Sequence, residues 1–310
     1  SFPGAGSEQI INAIEAATGV SMGTNYGHKM QTLDFKVHMN KFPSKFISED
    51  LYRRGPRGPF WNNVDRPPST GSVIVNTHCT GYCLTSDDDT GRCGRSGYIR
   101  TLIPSKRFYM SCYRSKSFDP ARKPKTSGIQ PYWRAKVKKV IVIVRNPFDM
   151  IASRFYKSGE KDFGAYCAFI NERWGKMREI RTAKETKLKD IDADSIPCYP
   201  EFFRIFHWYN NAYTIAKKKE SIMVRFEDLQ KVNKKNAKDD VKKNMNRILD
   251  FAGLEKMQWF RQFLFIHDKV AHSTMWTPEQ RVAVKDFMHA LNGPAMMKAY
   301  FTDYLNKNLK

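Results

Sequence analysis

Residues Val140–Val144 read Val-Ile-Val-Ile-Val, a β-branched run with no polar break. Such a run predicts a strand buried on both faces, as in a parallel sheet. Arg145 follows at the strand's end, and Asn146-Pro147-Phe148-Asp149 then has the chemistry of a helix start. Asn caps the first free N–H groups, Pro suits the first helical position, and Asp149 lies three residues after the cap. Ser153 comes one helical turn beyond Asp149, on the same face. An arginine and a serine thus flank a strand-to-helix turn. In open α/β sheets ligands bind at the carboxyl ends of strands. An anion there would meet a guanidinium, a hydroxyl and unpaired backbone N–H groups. The plain alternative is a strand–helix turn with a surface arginine.

Other stretches supply the neighbours such a strand needs. Ser1–Ser7 ends in Pro3-Gly4-Ala5-Gly6-Ser7, a glycine loop. It opens a helix over Glu8–Ala17, with Ile10, Ile11, Ile14 and Ala17 as the apolar stripe. A loop of this kind presents backbone N–H groups and the positive end of a helix dipole to an anion. Val73–Cys79 predicts a second strand, ending in Asn76-Thr77-His78. A histidine there is either hydrogen-bonded structure or a general base suited to neutral pH. Ile222–Phe226 predicts a third strand, followed by Glu227-Asp228-Leu229 and a helix over Asp239–Phe251 that stops at Gly253. Further helices are expected over Phe163–Lys189, Glu201–Lys219, Lys256–Ile266 and Thr277–Ala290. Thr277-Pro278-Glu279-Gln280 is a capping signal for the last of these. On Glu201–Lys219 the spacing of Phe202, Ile205, Phe206, Tyr209 and Tyr213 reads as core. His207 and Trp208 are candidates for a cleft wall.

The order of these segments is glycine loop, strand with Thr77-His78, Arg145-x-Pro147-x-Asp149-x-x-x-Ser153-x-Phe155, then Phe226-Glu227-Asp228-Leu229. From Ser1 to about Leu254 it resembles the sulfotransferases that use 3′-phosphoadenosine 5′-phosphosulfate (PAPS). The Ser-Phe-Pro-Gly-x-Gly form of the loop is most similar to the branch with Golgi sulfotransferases carrying WSC modules. The resemblance implies a single α/β domain over residues 1–310, a three-layer sandwich with a central parallel sheet and a P-loop-like phosphosulfate-binding loop. It implies that Pro3, Gly4, Ala5, Gly6 and Ser7 hold the 5′-phosphosulfate and that Arg145 and Ser153 hold the 3′-phosphate. Phe226 would lie on the adenine side, where the family has tyrosine. His78 would be the base that deprotonates an acceptor hydroxyl, and no metal is implied. The chain departs from the commoner family pattern at Gly4, Glu8, Gln9 and Asn76, and has no Arg-Lys-Gly segment near its end. Those departures define an alternative, a non-catalytic module of the same fold that binds acidic polymers. A P-loop kinase is disfavoured because no Gly-Lys-Ser/Thr occurs.

Charge and cysteines bear on partners and compartment. The net charge is +22 with 13% aromatic residues, so a packed, strongly basic chain is expected rather than a disordered one. PAPS needs only a few cations, so the excess points to a hydroxyl-bearing acceptor that is itself acidic, such as a glycan. A scatter of solvated lysines is the plain reading. The basic stretch 114–139 is a plausible docking surface, and no nucleic-acid partner is expected. Cysteines stand at 79, 83, 93, 112, 167 and 198, with no Cys-x-x-Cys pair. Their even number favours disulfides, two among the first four and one joining Cys167 to Cys198. The Cys79-x-x-x-Cys83 spacing leaves metal binding as a minor alternative. Ser86–Gly91 lacks EF-hand spacing and reads as an exposed turn. No apolar run is long enough to span a membrane. The chain opens directly on its glycine loop, so a fragment of a longer protein is expected, with a first strand and any anchor upstream. A Golgi-lumenal domain of a type II membrane protein fits these expectations, and a cytoplasmic protein is the alternative.

Overall fold

In the computed structural model the described residues are 4–24, 60–61, 66–67, 69, 72–79, 108, 112, 114–116, 129–131, 137–175, 195–230, 237–255, 275–291, 294–302 and 304. They form a mixed α/β structure that is mostly helical, with small sheets, two of which contain parallel pairs. Strands β1 (Gly23–Thr24), β2 (Phe60–Trp61) and β3 (Val75–Asn76) make one sheet in the order β2-β1-β3. There β1 runs antiparallel to β2 and parallel to β3. Strands β4 (Arg114–Lys116) and β5 (Ile129–Pro131) form an antiparallel pair. Strands β6 (Lys139–Val144) and β7 (Glu220–Arg225) pair in parallel, with Val144 opposite Arg225.

Strand β6 is where the β-branched run lies, and burial deepens along it. Lys139 is exposed, Val140 and Ile141 are half-buried, and Val142–Val144 are buried. Its carboxyl end is thus the core end. Helix α1 (Ser7–Thr18) follows the glycine loop, and α2 (Pro147–Ser158) follows β6. Asn146 caps α2 as its chemistry requires, its Oδ1 accepting from Phe148 N at 3.0 Å. The remaining helices are α3 (Phe163–Gly175), α4 (Tyr199–Ala216), α5 (Ala237–Ala252), α6 (Pro278–Leu291) and α7 (Pro294–Tyr300). Helix α6 starts with a reciprocal box: Gln280 Oε1 accepts from Thr277 N at 2.9 Å, and Gln280 N donates to Thr277 Oγ1 at 3.3 Å. Gly253 ends α5 at φ 68°, with Leu254 N donating back to Leu249 O at 2.9 Å.

Helix α4 is the hub. It packs on α2, α3, α6, α7 and both strands of the β6–β7 pair. Phe202, Ile205, Phe206 and Tyr209 are fully buried, as the aromatic spacing predicts, and Tyr213 is partly buried. Burial extends around the helix to Glu201, Arg204 and Asn211, so α4 is buried on nearly every side rather than along one stripe. Edge-on ring contacts knit it to its neighbours: Phe148–Phe202 at 5.2 Å, Phe148–Trp276 at 5.1 Å and Tyr209–Phe301 at 5.1 Å between centroids.

Several element boundaries differ from the expectations. The second strand is β3 alone, Val75–Asn76, shorter than Val73–Cys79, and Cys79 itself takes a left-handed φ of 53° that no strand can continue. The third strand stops at Arg225, and Phe226–Leu229 turn into a single 3₁₀ helix. Helix α4 begins two residues before Glu201, with Pro200 in its first turn. The disulfide expectation is met for Cys167–Cys198, and one bridge among the first four cysteines is Cys79–Cys112. Cys83, Cys93, the Ser86–Gly91 turn, the helix at 256–266 and the stretch 176–189 lie outside the described residues. Among the described residues no helix is long and apolar enough to cross a membrane.

Candidate functional site

The glycine loop, the end of β6 and the Phe226-Glu227 turn converge. Gly4 and Gly6 both adopt the left-handed conformation, φ 85° and 84°, which folds the loop tightly over the start of α1. Arg145, at the end of β6, donates from Nη1 to the Gly4 carbonyl at 2.8 Å. Its guanidinium also lies over the Phe226 ring, 4.7 Å from the centroid. Phe226 in turn fills the space a side chain on Gly6 would need. The other face of the loop rests on α2, where Met150 O and Arg154 Cγ would lie 3.1 and 3.6 Å from a Cβ on Gly4. Ala5 and Ser7 are buried, whereas Glu8 and Gln9 face solvent. Glu8 therefore turns outward, away from the loop interior. Ser153 is half-buried on α2, one turn beyond Asp149. Pro3 lies outside the described residues.

Burial lowers the pKa of Arg145, and the nearby Asp149 and Glu227 act against that drop. A guanidinium remains protonated throughout the accessible pH range. Its Nε is buried without a hydrogen-bond partner among the described residues. The turn therefore offers a fixed positive charge with one donor engaged by the loop and another unsatisfied.

Glu227 is the residue that sequence reasoning noted but gave no role. Its Oε1 accepts from Asn146 N at 2.8 Å, and its Oε2 accepts from the Tyr304 hydroxyl. This carboxylate holds the N-cap of α2 against the turn after β7. Burial raises its pKa above the ordinary glutamate range. Burial and the Glu227 charge push the Tyr304 hydroxyl well up, so it stays neutral and donates. The signal available in the sequence was the Glu227-Asp228-Leu229 string itself. Tyr304, 77 residues away, carried none.

Behind the loop lies a buried ionic cluster that sequence reasoning missed. Glu201 accepts from Arg204 Nη1 at 2.8 Å and from Arg154 Nη2 at 3.2 Å, and Arg154 Nε lies 2.9 Å from its other oxygen. All three side chains are at most 2% exposed. The Nε contact is close but not aligned as a hydrogen bond. Next to the cluster, the Tyr166 hydroxyl is pushed up to about 12, by burial first and then by the Glu201 charge.

His78 stands just beyond β3 and is half-buried. Its carbonyl accepts from the Trp208 indole at 2.9 Å, and the next residue, Cys79, is bridged to Cys112. Tyr209, beside Trp208 on α4, donates to Ile143 O on β6 at 2.8 Å. His78 and the Arg145 cluster are thus linked through α4. His207 packs edge-on against Phe203, 5.1 Å between centroids. Among the described residues no group of three or more His, Cys, Asp or Glu side chains is arranged to hold a metal ion.

No family model, no curated protein and no solved structure matches the chain.

Proposed function

We propose that this chain is a PAPS-dependent sulfotransferase acting on an acceptor hydroxyl, with a carbohydrate as the acceptor class. The observation that carries the reading is the convergence of the Gly4–Ser7 loop on Arg145, through a 2.8 Å hydrogen bond between residues 141 apart in sequence. A glycine loop at a helix start, next to a fixed guanidinium at a strand's carboxyl end, fits a ligand with two anionic groups. The donor, when bound, supplies the sulfuryl group. Arg145 and Ser153 would hold the 3′-phosphate, and the loop backbone with Pro3, Gly4, Ala5, Gly6 and Ser7 would hold the phosphosulfate. Phe226, buried under Arg145, supports that arrangement from below. His78 would take the acceptor's proton as its oxygen attacks sulfur in line. The new O–S bond forms as the bond to the phosphate oxygen breaks. Positioning and charge stabilisation supply most of the rate in such transfers.

The β6–β7 parallel pair, packed on α4, is in keeping with the central parallel sheet that the proposed three-layer fold would need. Two disulfides among the described residues support an oxidising compartment, in keeping with the Golgi lumen and a type II anchor. The basic excess supports an acidic glycan as acceptor.

A second reading is favoured by the tightness of the loop. Ala5 and Ser7 are almost fully buried, and Arg145 already spends one donor on Gly4. A module of this fold that binds acidic polymers without catalysis would have the same packing. Calorimetric titration with 3′-phosphoadenosine 5′-phosphate separates the two. The enzyme reading expects binding that Arg145→Ala abolishes or strongly weakens. No nucleotide binding, together with heparin binding that falls steeply with salt, would favour the module instead.

A further inference from the structure

Strand β3 ends at Asn76, so ladder hydrogen bonds do not hold His78 in place. Two described contacts fasten it. The first is the Trp208 indole on the His78 carbonyl, 2.9 Å away. The second is the Cys79–Cys112 disulfide on the adjacent residue. Cys79 sits at φ 53°, a conformation that a non-glycine residue keeps only where its surroundings enforce it. Cys79 N is tied locally to Thr77 Oγ1 at 3.1 Å. Phe108, four residues before Cys112 and fully buried, packs edge-on against Trp208 at 5.5 Å. The connections therefore close a ring: His78, Cys79, Cys112, Phe108, Trp208 and back to His78.

Tyr209 extends this ring to the other half of the site. It is fully buried, its ring lies 5.0 Å from that of Trp208, and its hydroxyl donates to Ile143 O, two residues before Arg145. Consecutive helical residues project about 100° apart, so neighbours on one helix can reach two different elements. Here they reach the chain end that bears His78 and the strand end that bears Arg145.

We infer that Trp208 and Tyr209 are positioning residues. Through two adjacent hydrogen bonds, α4 sets the candidate base His78 against the candidate phosphate-binding strand, and the Cys79–Cys112 bridge is the second fastening on His78. This inference rests on the sulfotransferase reading above. A purely structural role would affect stability alone. A positioning role also moves the behaviour of His78 or of Arg145, depending on which bond is removed.

The test uses Trp208→Phe and Tyr209→Phe, each of which deletes one donor and keeps an aromatic ring. Four quantities are read: urea stability, calorimetric affinity for 3′-phosphoadenosine 5′-phosphate, the His78 imidazole titration by NMR (assigned with His78→Gln), and release of sulfate from PAPS with water or a sugar as acceptor. Trp208→Phe should leave nucleotide affinity within about twofold, shift the His78 titration, and slow turnover by about ten- to a hundredfold, the scale of a small misplacement of a catalytic group. Tyr209→Phe should do the reverse, weakening nucleotide affinity while the His78 titration stays put. Should Trp208→Phe fail to fold, Cys79→Ser/Cys112→Ser removes the other fastening and should give the same His78 signature. If wild-type protein binds the nucleotide but Trp208→Phe, or the cysteine double variant in its place, leaves His78 titration and turnover unchanged, the positioning inference is overturned and the enzyme reading stands. If wild-type protein binds no nucleotide, the enzyme reading fails and takes the inference with it.

Discussion

Gly6 and Phe226 are packed so closely that a Cβ on Gly6 would lie 2.0 Å from Cε2 of the ring. The two residues are 220 positions apart in the sequence, one in the loop before α1 and one at the turn after β7. Gly6 also sits at φ 84°, so a side chain there meets both backbone strain and a filled site. Gly159 makes a useful control, because its φ is 78° but nothing lies within 4 Å of its Cβ position. Gly159→Ala should cost about 1–2 kcal/mol, the left-handed penalty alone. Gly6→Ala should cost clearly more, read as a lower urea midpoint at unchanged slope. In a double-mutant cycle with Phe226→Ala the two losses should be less than additive, since removing the ring removes the clash. Strict additivity would show that Phe226 is not what excludes a side chain from Gly6.

Arg145 is asked to do two things that lysine cannot do together. It donates to the Gly4 carbonyl and lays a planar cation over Phe226. Arg145→Lys keeps the charge but loses the fork geometry. Affinity for 3′-phosphoadenosine 5′-phosphate should fall about ten- to a hundredfold, the worth of a hydrogen bond to a charged group. Arg145→Lys protein that binds the nucleotide as tightly as wild type would show that charge alone, without the guanidinium, accounts for the site.

Glu227 gives a pH signature. Its carboxyl is raised in the folded state by burial, so the folded protein holds that proton more tightly than the unfolded chain. The stability linked to this group is therefore fully present below the ordinary glutamate range. It is lost as pH rises through the higher folded value. Glu227→Gln is neutral throughout, and its Oε1 can still accept from Asn146 N. Urea unfolding from pH 4 upward, about the ordinary glutamate value, should show the variant gaining on wild type as pH rises. A stability difference that does not change with pH would mean Glu227 is not the titrating group.

Much of the candidate site was legible because it is built from local rules. The Asn146 cap, the Pro147 start, the Thr277–Gln280 box and the aromatic spacing of α4 all depend on residues a few positions apart. The partners of those segments were not legible in the same way. Nothing in the sequence near Glu227 indicates Tyr304, and nothing near Gly4 indicates Arg154. The boundary of β3 differs from the expectation for a related reason. Val73–Cys79 reads as a strand from its local pattern, but β3 stops at Asn76, and the left-handed Cys79 with its bridge to Cys112 is a tertiary feature that the local pattern does not show. The Arg154–Glu201–Arg204 cluster was hidden because charged residues on a helix read as solvent-facing until the packing of α4 places them inside.

That cluster supports the loop as well as the core. Glu201 is the shared acceptor for two buried guanidinium groups, and Arg154 also backs Gly4. Removing the carboxylate's charge leaves two cations in a site of low polarity, a loss of about 3–5 kcal/mol for a broken buried pair. Glu201→Gln should therefore lower stability by that amount and also weaken nucleotide binding, because the Arg154 stem shifts beneath the loop. Replacing all three residues together by apolar ones, as in Arg154→Met/Glu201→Leu/Arg204→Met, removes the desolvation cost along with the attraction. Such replacements are often neutral or stabilising. The triple variant should regain most of the stability that Glu201→Gln loses. Its nucleotide affinity then reports whether the loop needs charge behind it or only volume. Recovery of both stability and affinity would make the cluster a packing feature, whereas recovery of stability alone would tie its charge to the candidate site.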